Sequence, residues 1–513
     1  MGMQAILSLF EKHQLLLEPI SDASLRQNVE FSEISSDSRS VLAGLFSGKK
    51  ILYFARRGAS RDGHDFLRDL EGRSECVAFV VEEKPAGWKP LAPVIVVRDS
   101  TLAMALVAKM LYRDPTASAL TVAVTGTNGK TTSTFLLQNL LKNAGIPCAL
   151  SGTVMLQFED FRVSSPLTTP DFSEMQKNFS LLRDRGARGF VFEASSHALD
   201  QRRLLGIELD GALFTNLTPE HLDYHKSMEA YFLAKRRLFS ELLRSSQKAR
   251  RWAVVPRDGT YGARLAEEFE SSSEIQLWTW GYQEHAGERH FTIRDPKISI
   301  EGSEFTLLFQ GRSLRFQSPL IGRFNIENVV GMIAAGYALQ LPENQIVESV
   351  SRSPFVPGRL EPVKSQNGPR VFVDYAHTPD ALENVCSTLR ALSPRQLKVV
   401  FGCGGDRDRL KRPKMAQVAE LYGDEIFITS DNPRREDPQA IVDEILMGLQ
   451  GLKKKHIHLD RRTAIEAALS SAHREDVVLI AGKGHETYQI IGDEKIHFDD
   501  REVALAALSS RAS

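Results

Sequence analysis

Short apolar runs, each followed by a turn or a helix-period pattern, recur along almost the whole chain. Lys50–Tyr53, Cys76–Val81 and Pro93–Val97 are such runs in the first part, and they read as strands of a small α/β unit. The amphipathic stretch Leu102–Tyr112 predicts a helix that stops at Asp114–Pro115, where a linker is expected. A second unit opens on the β-branched alternation Leu120–Val124. It passes through a glycine-rich turn into a periodic helix, Phe135–Ala144, that ends at Gly145. Gly189–Glu193 and Gly211–Thr215 predict further strands with helical patterns between them, hence a mainly parallel sheet. From Trp252 to Phe316 the pattern changes to apolar–polar alternation rich in turn residues, which predicts an antiparallel β insertion. A third unit begins near Pro357-Gly358-Arg359. Its strands are expected at Arg370–Asp374, Lys398–Gly402, Glu425–Thr429 and Val477–Ala481, with helices such as Pro379–Leu392 between them. The expectation is an α/β protein of three domains. A small N-terminal α/β domain covers 1–118, and a central P-loop domain with a parallel sheet and a β insertion covers 119–356. A doubly wound, Rossmann-like C-terminal domain covers 357–513.

Composition narrows the class. At 513 residues the chain is long enough for about three domains. Lys and Arg number 64 against 65 Asp and Glu, so no net charge draws the whole molecule to nucleic acid or to anionic lipid. The four cysteines form no CxxC pair, which disfavours a disulfide framework or a thiolate zinc site and suits a reducing compartment. Met1–Ile20 mixes Glu11, Lys12 and His13 into its apolar residues and lacks a signal-peptide pattern. No run approaches the ~20 apolar residues of a membrane span, so a cytoplasmic protein is expected.

Candidate chemistry begins at Gly126-Thr127-Asn128-Gly129-Lys130-Thr131-Thr132, between a strand and a helix. Glycines let backbone N–H groups curl round phosphates, Lys130 adds a positive charge, and the Thr131 hydroxyl is placed for Mg²⁺. The spacing is tighter than in the commonest P-loops. Such loops serve kinases, GTPases, motors and ligases alike, so nucleotide binding follows and the reaction does not. Glu193 ends a strand, the usual place for a metal-holding carboxylate in an α/β sheet. His221 and His225, four residues apart, can share a helix face, yet no HExxH glutamate accompanies them and zinc is disfavoured. On composition alone Lys235 reads as a solvated helix lysine, His225 as a packing residue and Lys453-Lys454-Lys455 as a solvated helix end. Arg56-Arg57 meets either a pyrophosphate or solvent.

The loop TGTNGKTT (Thr125–Thr132) resembles that of the Mur ligases and their relative folylpolyglutamate synthase. Further matches follow in the family's order: LTTPD (Leu167–Asp171), EASSHAL (Glu193–Leu199), FTNLTPEHLDYH (Phe214–His225), AK (Ala234–Lys235), FN..N (Phe324–Asn328) and GR (Gly358–Arg359). DYAHTPDAL (Asp374–Leu382), GCGGDRD (Gly402–Asp408), DNPR (Asp431–Arg434) and AGKGHE (Ala481–Glu486) complete the set. The resemblance spans nearly the whole chain and is weakest at the N-terminus and over Trp252–Phe316. It implies an ATP-dependent, ADP-forming ligase of peptidoglycan synthesis that works through an acyl phosphate. The branch implied is the one adding meso-diaminopimelate to a nucleotide-linked muramoyl dipeptide, with ATP and Mg²⁺ as cofactors. Small-molecule partners, no nucleic acid, no membrane insertion and a monomeric state go with it.

The same resemblance distributes the site residues. ATP falls to Gly126, Thr127, Asn128, Gly129, Lys130, Thr131, Thr132, Asn325, Asn328, Arg359, Asp374 and His377. Lys130, Glu193, His221 and Lys235 carry catalysis, and Mg²⁺ falls to Thr131, Glu193, His221 and Lys235, the last as a carbamate. Ser36, Ser38, Thr168, Thr169, Ser195, Gln201 and Arg203 hold the muramoyl peptide; Leu167 stands where relatives often carry asparagine. Arg407, Asp431, Asn432, Pro433, Arg434, Gly482 and Glu486 take the incoming amino acid. Lysine-adding relatives lack an arginine at the Arg434 position, and a planar guanidinium suits the second carboxylate of diaminopimelate. The loop Ala59-Ser60-Arg61 departs from the family pattern and is assigned no role. Three alternatives stand beside this reading: the lysine-adding ligase, folylpolyglutamate synthase, and a P-loop ATPase that makes no bond. DNPR and the SSDSR segment argue against the first two; Thr131, Glu193, His221 and Lys235 together argue against the third.

Overall fold

The structure is a computed structural model that describes residues 1–18, 29–58, 61–165, 167–364 and 368–510. Ala59 and Ser60 of the divergent loop lie outside these residues. Three sheets follow one another along the chain. The first is parallel throughout, in the order Glu33–Ser35, Ile51–Phe54, Cys76–Val81, Val94–Val96. Ile51–Phe54 is buried at every position, because apolar groups cover both faces of the sheet. On one side Leu52 and Phe54 meet Phe10 and Met104, from helices Met3–Lys12 and Ser100–Leu111; on the other, Tyr53 and Phe79 meet Leu67 and Trp88.

The central sheet has eleven strands. The phosphate-loop strand Leu120–Thr125 runs parallel between Gly211–Phe214 and Gly189–Glu193, so Thr125, Phe214 and Glu193 end at one edge. Open α/β sheets bind ligands at that edge. Helices Lys130–Asn143 and Arg323–Ala338 cover one face through Leu137, Leu141, Val330 and Ile333; Phe179, Phe232 and Phe239 cover the other.

The expected antiparallel insertion needs correction. Arg251–Pro256 and Ile275–Gly281 extend the main sheet in parallel, joined by the helix Thr260–Phe269, and His290–Ser299 is parallel too. Only Gly302–Phe309 and Arg312–Ser318 turn antiparallel. The helix buries Leu265, Ala266 and Phe269, but Glu267 and Glu268 between them, with Arg264 and Glu270 on either side, give the sequence an alternating look.

The C-terminal sheet is ordered Glu361–Val363, Arg370–Asp374, Val477–Ala481, Leu397–Phe401, Glu425–Ile428, Lys454–Ile457, with only the first strand antiparallel. Lys453–Lys455 is therefore not a helix end. Lys454 and Lys455 open an edge strand, where exposed lysines discourage pairing with another chain. A separate hairpin, Tyr488–Ile491 with Glu494–His497, stands beside this sheet. Among the described residues no helix is long and apolar enough to cross a membrane.

Candidate active site

The phosphate loop has a shape that only glycine allows at two points. Gly126 has φ +149°, and a Cβ there would fall 1.8 Å from Thr215 Oγ1; Gly129 has φ +85°, and a Cβ would fall 2.4 Å from Asn328 Oδ1. The loop is tied to its neighbour strand: Thr127 N donates to Asn216 O (2.9 Å), Asn128 N to Asn216 Oδ1 (2.9 Å), and Thr215 Oγ1 to Asn128 O (2.6 Å). Lys130 donates to the carbonyls of Gly126 (2.9 Å) and Thr127 (2.7 Å). Lys235, from helix Met228–Arg237, donates to the same Gly126 carbonyl at 2.7 Å and lies over the Tyr231 ring. It is buried, contrary to its composition. Burial first, and the Lys130 charge second, hold Lys235 well below the ordinary lysine range.

A carboxylate stands beside the loop. Glu193 is buried at the end of its strand, and its Oε1 accepts from Thr131 Oγ1 (3.1 Å) and Thr153 N (2.8 Å). Thr153 Oγ1 donates to Oε2 at 3.1 Å. His221 sits half-exposed in the left-handed region, φ +57°, with Nε2 3.8 Å from Glu220. Burial lowers its pKa, Glu220 opposes that, and Lys130 and Lys235 add to it. Burial raises the Glu220 carboxyl, but the charges of Lys130, His221, His377 and Lys235 outweigh it and leave Glu220 below the ordinary value. His225 packs: it is buried, with Nε2 3.0 Å from Ser196 Oγ.

The C-terminal sheet closes a cavity of about 480 Å³ over this loop. Thr127 to Thr132, Glu193, His221 and Lys235 line it from the central side; Arg359, Asp374, His377 and Asp380 line it from the other. Arg359 lies over Tyr375 and donates from Nη2 to Thr131 Oγ1 at 3.2 Å. Asp380, in the first turn of helix Pro379–Ala391, accepts from Asn128 Nδ2 (2.9 Å) and Thr218 Oγ1 (3.1 Å). The buried Asp374 carboxylate accepts from the backbone of Leu360 (2.6 Å) and Ala376 (2.7 Å); burial raises its pKa against the pull of Arg359 and these bonds. His377 Nδ1 is 2.8 Å from Tyr375 O, and burial lowers its pKa. Asn328 lines the cavity, whereas Asn325 does not. Asn325 donates to Ile321 O (2.9 Å) and accepts from Asn328 Nδ2 (3.3 Å), so it orients its neighbour.

The muramoyl-peptide candidates separate into two places. Thr168 reaches the cavity, its Oγ1 3.1 Å from Thr153 Oγ1. Thr169 is buried; its hydroxyl donates to Glu193 O (2.7 Å) and accepts from Ser195 N (3.0 Å), which makes it a brace. Ser195 lines the cavity and caps helix Ser196–Asp200. Arg203 pairs with Gln201 Oε1 and donates to Thr169 O (3.3 Å), so these three lie together. Ser36 and Ser38 are outside the cavity, beside the N-terminal sheet. One tie from the N-terminal sheet to the central part runs through Arg56, whose Nη1 meets Asp171 at 2.6 Å and whose guanidinium lies over Phe172. Arg57 pairs with Glu83 at 3.1 Å. Both arginines are therefore engaged within the protein.

The amino-acid candidates form a second cluster at the carboxyl ends of the C-terminal strands. Asp431, Asn432 and Pro433 are buried, and Arg434 is half-buried with φ +52°. That uncommon backbone is held by Arg434 N donating to Ile490 O (3.0 Å) and Gly492 N to Arg434 O (2.7 Å), both from the hairpin. The guanidinium donates to Gly405 O at 2.7 Å. A Cβ on Gly404 would lie 3.0 Å from Arg434 Nη1 and 3.7 Å from Arg407 Cγ, so the two arginines flank that glycine. A Cβ on Gly482 would meet Asp431 Oδ2 at 3.1 Å. Glu486 Oε2 accepts from Asn432 Nδ2 at 2.9 Å. Arg435 is exposed and pairs with Asp493.

A family profile described as the Mur ligase middle domain matches residues 124–336, and one described as the Mur ligase, glutamate ligase domain matches 358–484. A UDP-N-acetylmuramoyl-L-alanyl-D-glutamate–2,6-diaminopimelate ligase of Geobacter sulfurreducens is 42% identical over 94% of this chain and 96% of its own. The chain belongs to the Mur ligase family. A Bacillus cereus relative of the same name is 38% identical over 95% of this Mur ligase and 96% of its own length. A solved structure of a ligase with that name superposes with a TM-score of 0.71 at 30% identity, covering 100% and 99% of the two chains. A folylpolyglutamate synthase of Mycobacterium tuberculosis complexed with ADP shares the fold alone, at TM-score 0.62 and 17% identity over 80% and 94%. Membership makes the chain an ATP-dependent, ADP-forming acid–amino-acid ligase of the three-domain Mur ligase fold.

Sequence reasoning passed over several residues of the Mur ligase cavity. Glu220 and Asp380 lie inside motifs already quoted, where their neighbours His221 and His377 drew attention first. Thr153, bonded to both oxygens of Glu193, belongs to no motif, and only the fold brings it there. Tyr231, whose ring lies under the Lys235 ammonium, reads as an ordinary core aromatic.

Proposed function

We propose that this Mur ligase joins meso-diaminopimelate to the D-glutamate γ-carboxylate of UDP-N-acetylmuramoyl-L-Ala-D-Glu, using ATP and releasing ADP and phosphate. The observation that carries the choice of amino acid is the pair Arg434 and Arg407 flanking Gly404, with the Arg434 backbone fixed from both sides by the hairpin. A guanidinium there receives the far carboxylate of the diamino acid through two parallel hydrogen bonds.

A free carboxylate is a poor electrophile. The γ-phosphoryl group moves onto the substrate carboxylate, the amine attacks the acyl phosphate, and phosphate leaves as the amide forms. Both steps gather negative charge, which the loop N–H groups, Lys130 and Arg359 are placed to meet. Thr131 and Glu193 supply adjacent oxygen donors of the kind Mg²⁺ prefers, with His221 and a carbamylated Lys235 beside them. Bound there, Mg²⁺ would neutralise charge on the transferring phosphoryl group. Carbamylation joins the neutral Lys235 amine to carbon dioxide and releases a proton. Burial favours the neutral amine that reacts, and the product is an anion. Closure of Arg359 and Asp380 over the loop keeps water from the acyl phosphate.

Phosphate release with UDP-muramoyl dipeptide, ATP and a panel of diamino acids tests this directly. Diaminopimelate is expected to drive turnover and appear in the product by intact mass. Lysine, which leaves the half-buried Arg434 without a carboxylate partner, is expected to be at least about tenfold worse in kcat/KM. Equal use of lysine would make this a ligase of different specificity; phosphate release without either amino acid or dipeptide would remove the ligase reaction.

A further inference from the structure

Within the amino-acid cluster lies a cation that the reaction above does not use. Lys483 is completely buried. Its Nζ donates to Asn432 Oδ1 and to Glu486 Oε2, each at 3.2 Å, and lies 3.7 Å from Asp431 Oδ1. Asn432 Oδ1 also accepts from Ile490 N at 3.0 Å. With both contacts of that oxygen being donors, the amide has one orientation only: flipped, its NH₂ would face an ammonium and an N–H. Asn432 Nδ2 is thereby turned onto Glu486 Oε2 at 2.9 Å. Glu486 Oε2 thus takes two donors, and none of the described hydrogen bonds reaches Oε1. Asp431 and Glu486 set two acidic side chains against the one basic Lys483, a surplus of one acid. That surplus matches one ammonium.

We infer that Lys483 is a positioning residue for amino-acid selection. It fixes Asn432 and Glu486 so that one carboxylate oxygen meets the distal ammonium of the diamino acid while Arg434 meets the distal carboxylate. The inference rests on the proposed reading of Asp431–Arg434 and Glu486 as the amino-acid site. Lys483 touches no substrate in this arrangement; it acts through Asn432 and Glu486. A buried apolar side chain of similar length would fill the space and leave two acidic groups facing each other without a counter-charge.

Steady-state kinetics of the full chain separate this role from a merely structural one. Lys483→Met is expected to raise KM for diaminopimelate at least about tenfold, with KM for ATP and kcat at saturating amino acid within about twofold of the unaltered enzyme. On a Glu486→Gln background the same change is expected to add less than about twofold, because both alter one contact. Asn432→Asp keeps the shape and the bond to Lys483 but removes the donor to Glu486, and should show the same selective rise. It carries the test if Lys483→Met melts early or loses nucleotide affinity. An unchanged KM for the amino acid, or effects of positions 483 and 486 that multiply, overturns the inference. If Glu486→Gln itself leaves that KM untouched, the underlying assignment of the amino-acid site fails instead. The measurements use whichever amino acid the unaltered enzyme consumes.

Discussion

Lys235 and Lys130 direct their ammonium groups to the Gly126 carbonyl, at 2.7 and 2.9 Å. Enclosing an ammonium costs several kcal/mol unless it is neutralised or paired, so such a lysine is retained for chemistry. Lys235→Ala is expected to reduce turnover at least about 100-fold, as loss of a group acting on transferred charge does. A small added carboxylate such as acetate should restore part of it, because the group lost on the proposed reading, a carbamate, is an anion; phosphate-release rates with and without acetate check this. Arg434→Met should lower kcat/KM for diaminopimelate by about 10–100-fold, the loss of a charged hydrogen-bond pair, and change use of lysine far less. At this scale the sequence is readable where a residue's job is local. Glu193 closes its own strand, and Arg434 sits in its own turn. The internal bonds of Asn325 and Thr169 were not legible, because the groups they hold, Ile321 O and Glu193 O, become their partners only in the folded chain.

Among elements, the helix Pro379–Ala391 has two roles. Its core-facing Leu382, Cys386 and Leu389 are buried beneath the C-terminal sheet, and its first turn carries Asp380 to Asn128 and Thr218. Removing that carboxylate should let water reach the acyl phosphate. Asp380→Ala is therefore expected to release more phosphate than amide product, where the unaltered enzyme releases equal amounts; both are counted in one reaction. Parallel strands flanked by strong turns were legible along the chain, and Gly189–Glu193, Arg370–Asp374 and Val477–Ala481 fall where the pattern puts them. The helix Thr260–Phe269 was not, since acidic residues fill the gaps between its buried positions. Pairing direction is a property of the sheet, and local alternation cannot report it.

At the scale of the molecule, ion pairs fasten the N-terminal part to the centre: Arg56 with Asp171, Arg202 with Asp99, Lys177 with Glu33 and Lys109 with Glu208. Burial alone would raise the Glu208 carboxyl, but Lys109 and the Gln247 amide hold it below the ordinary value. A depressed carboxyl binds fewer protons folded than unfolded. Its contribution is complete above the unfolded pKa, about 4.3, and fades as pH falls through the lower folded value. Glu208→Gln should thus melt a few degrees early at neutral pH, with the difference from the parent shrinking in acid; melting curves across pH report it. The C-terminal attachment is of another kind. Arg359 donates to Thr131 Oγ1, the hydroxyl that also donates to Glu193, so one side chain of the C-terminal part reaches the loop that the central sheet builds. On the proposed reading, in which Thr131 faces Mg²⁺ and Arg359 the transferring phosphoryl group, a bound nucleotide draws both side chains onto itself and so joins the two parts of the molecule through the ligand.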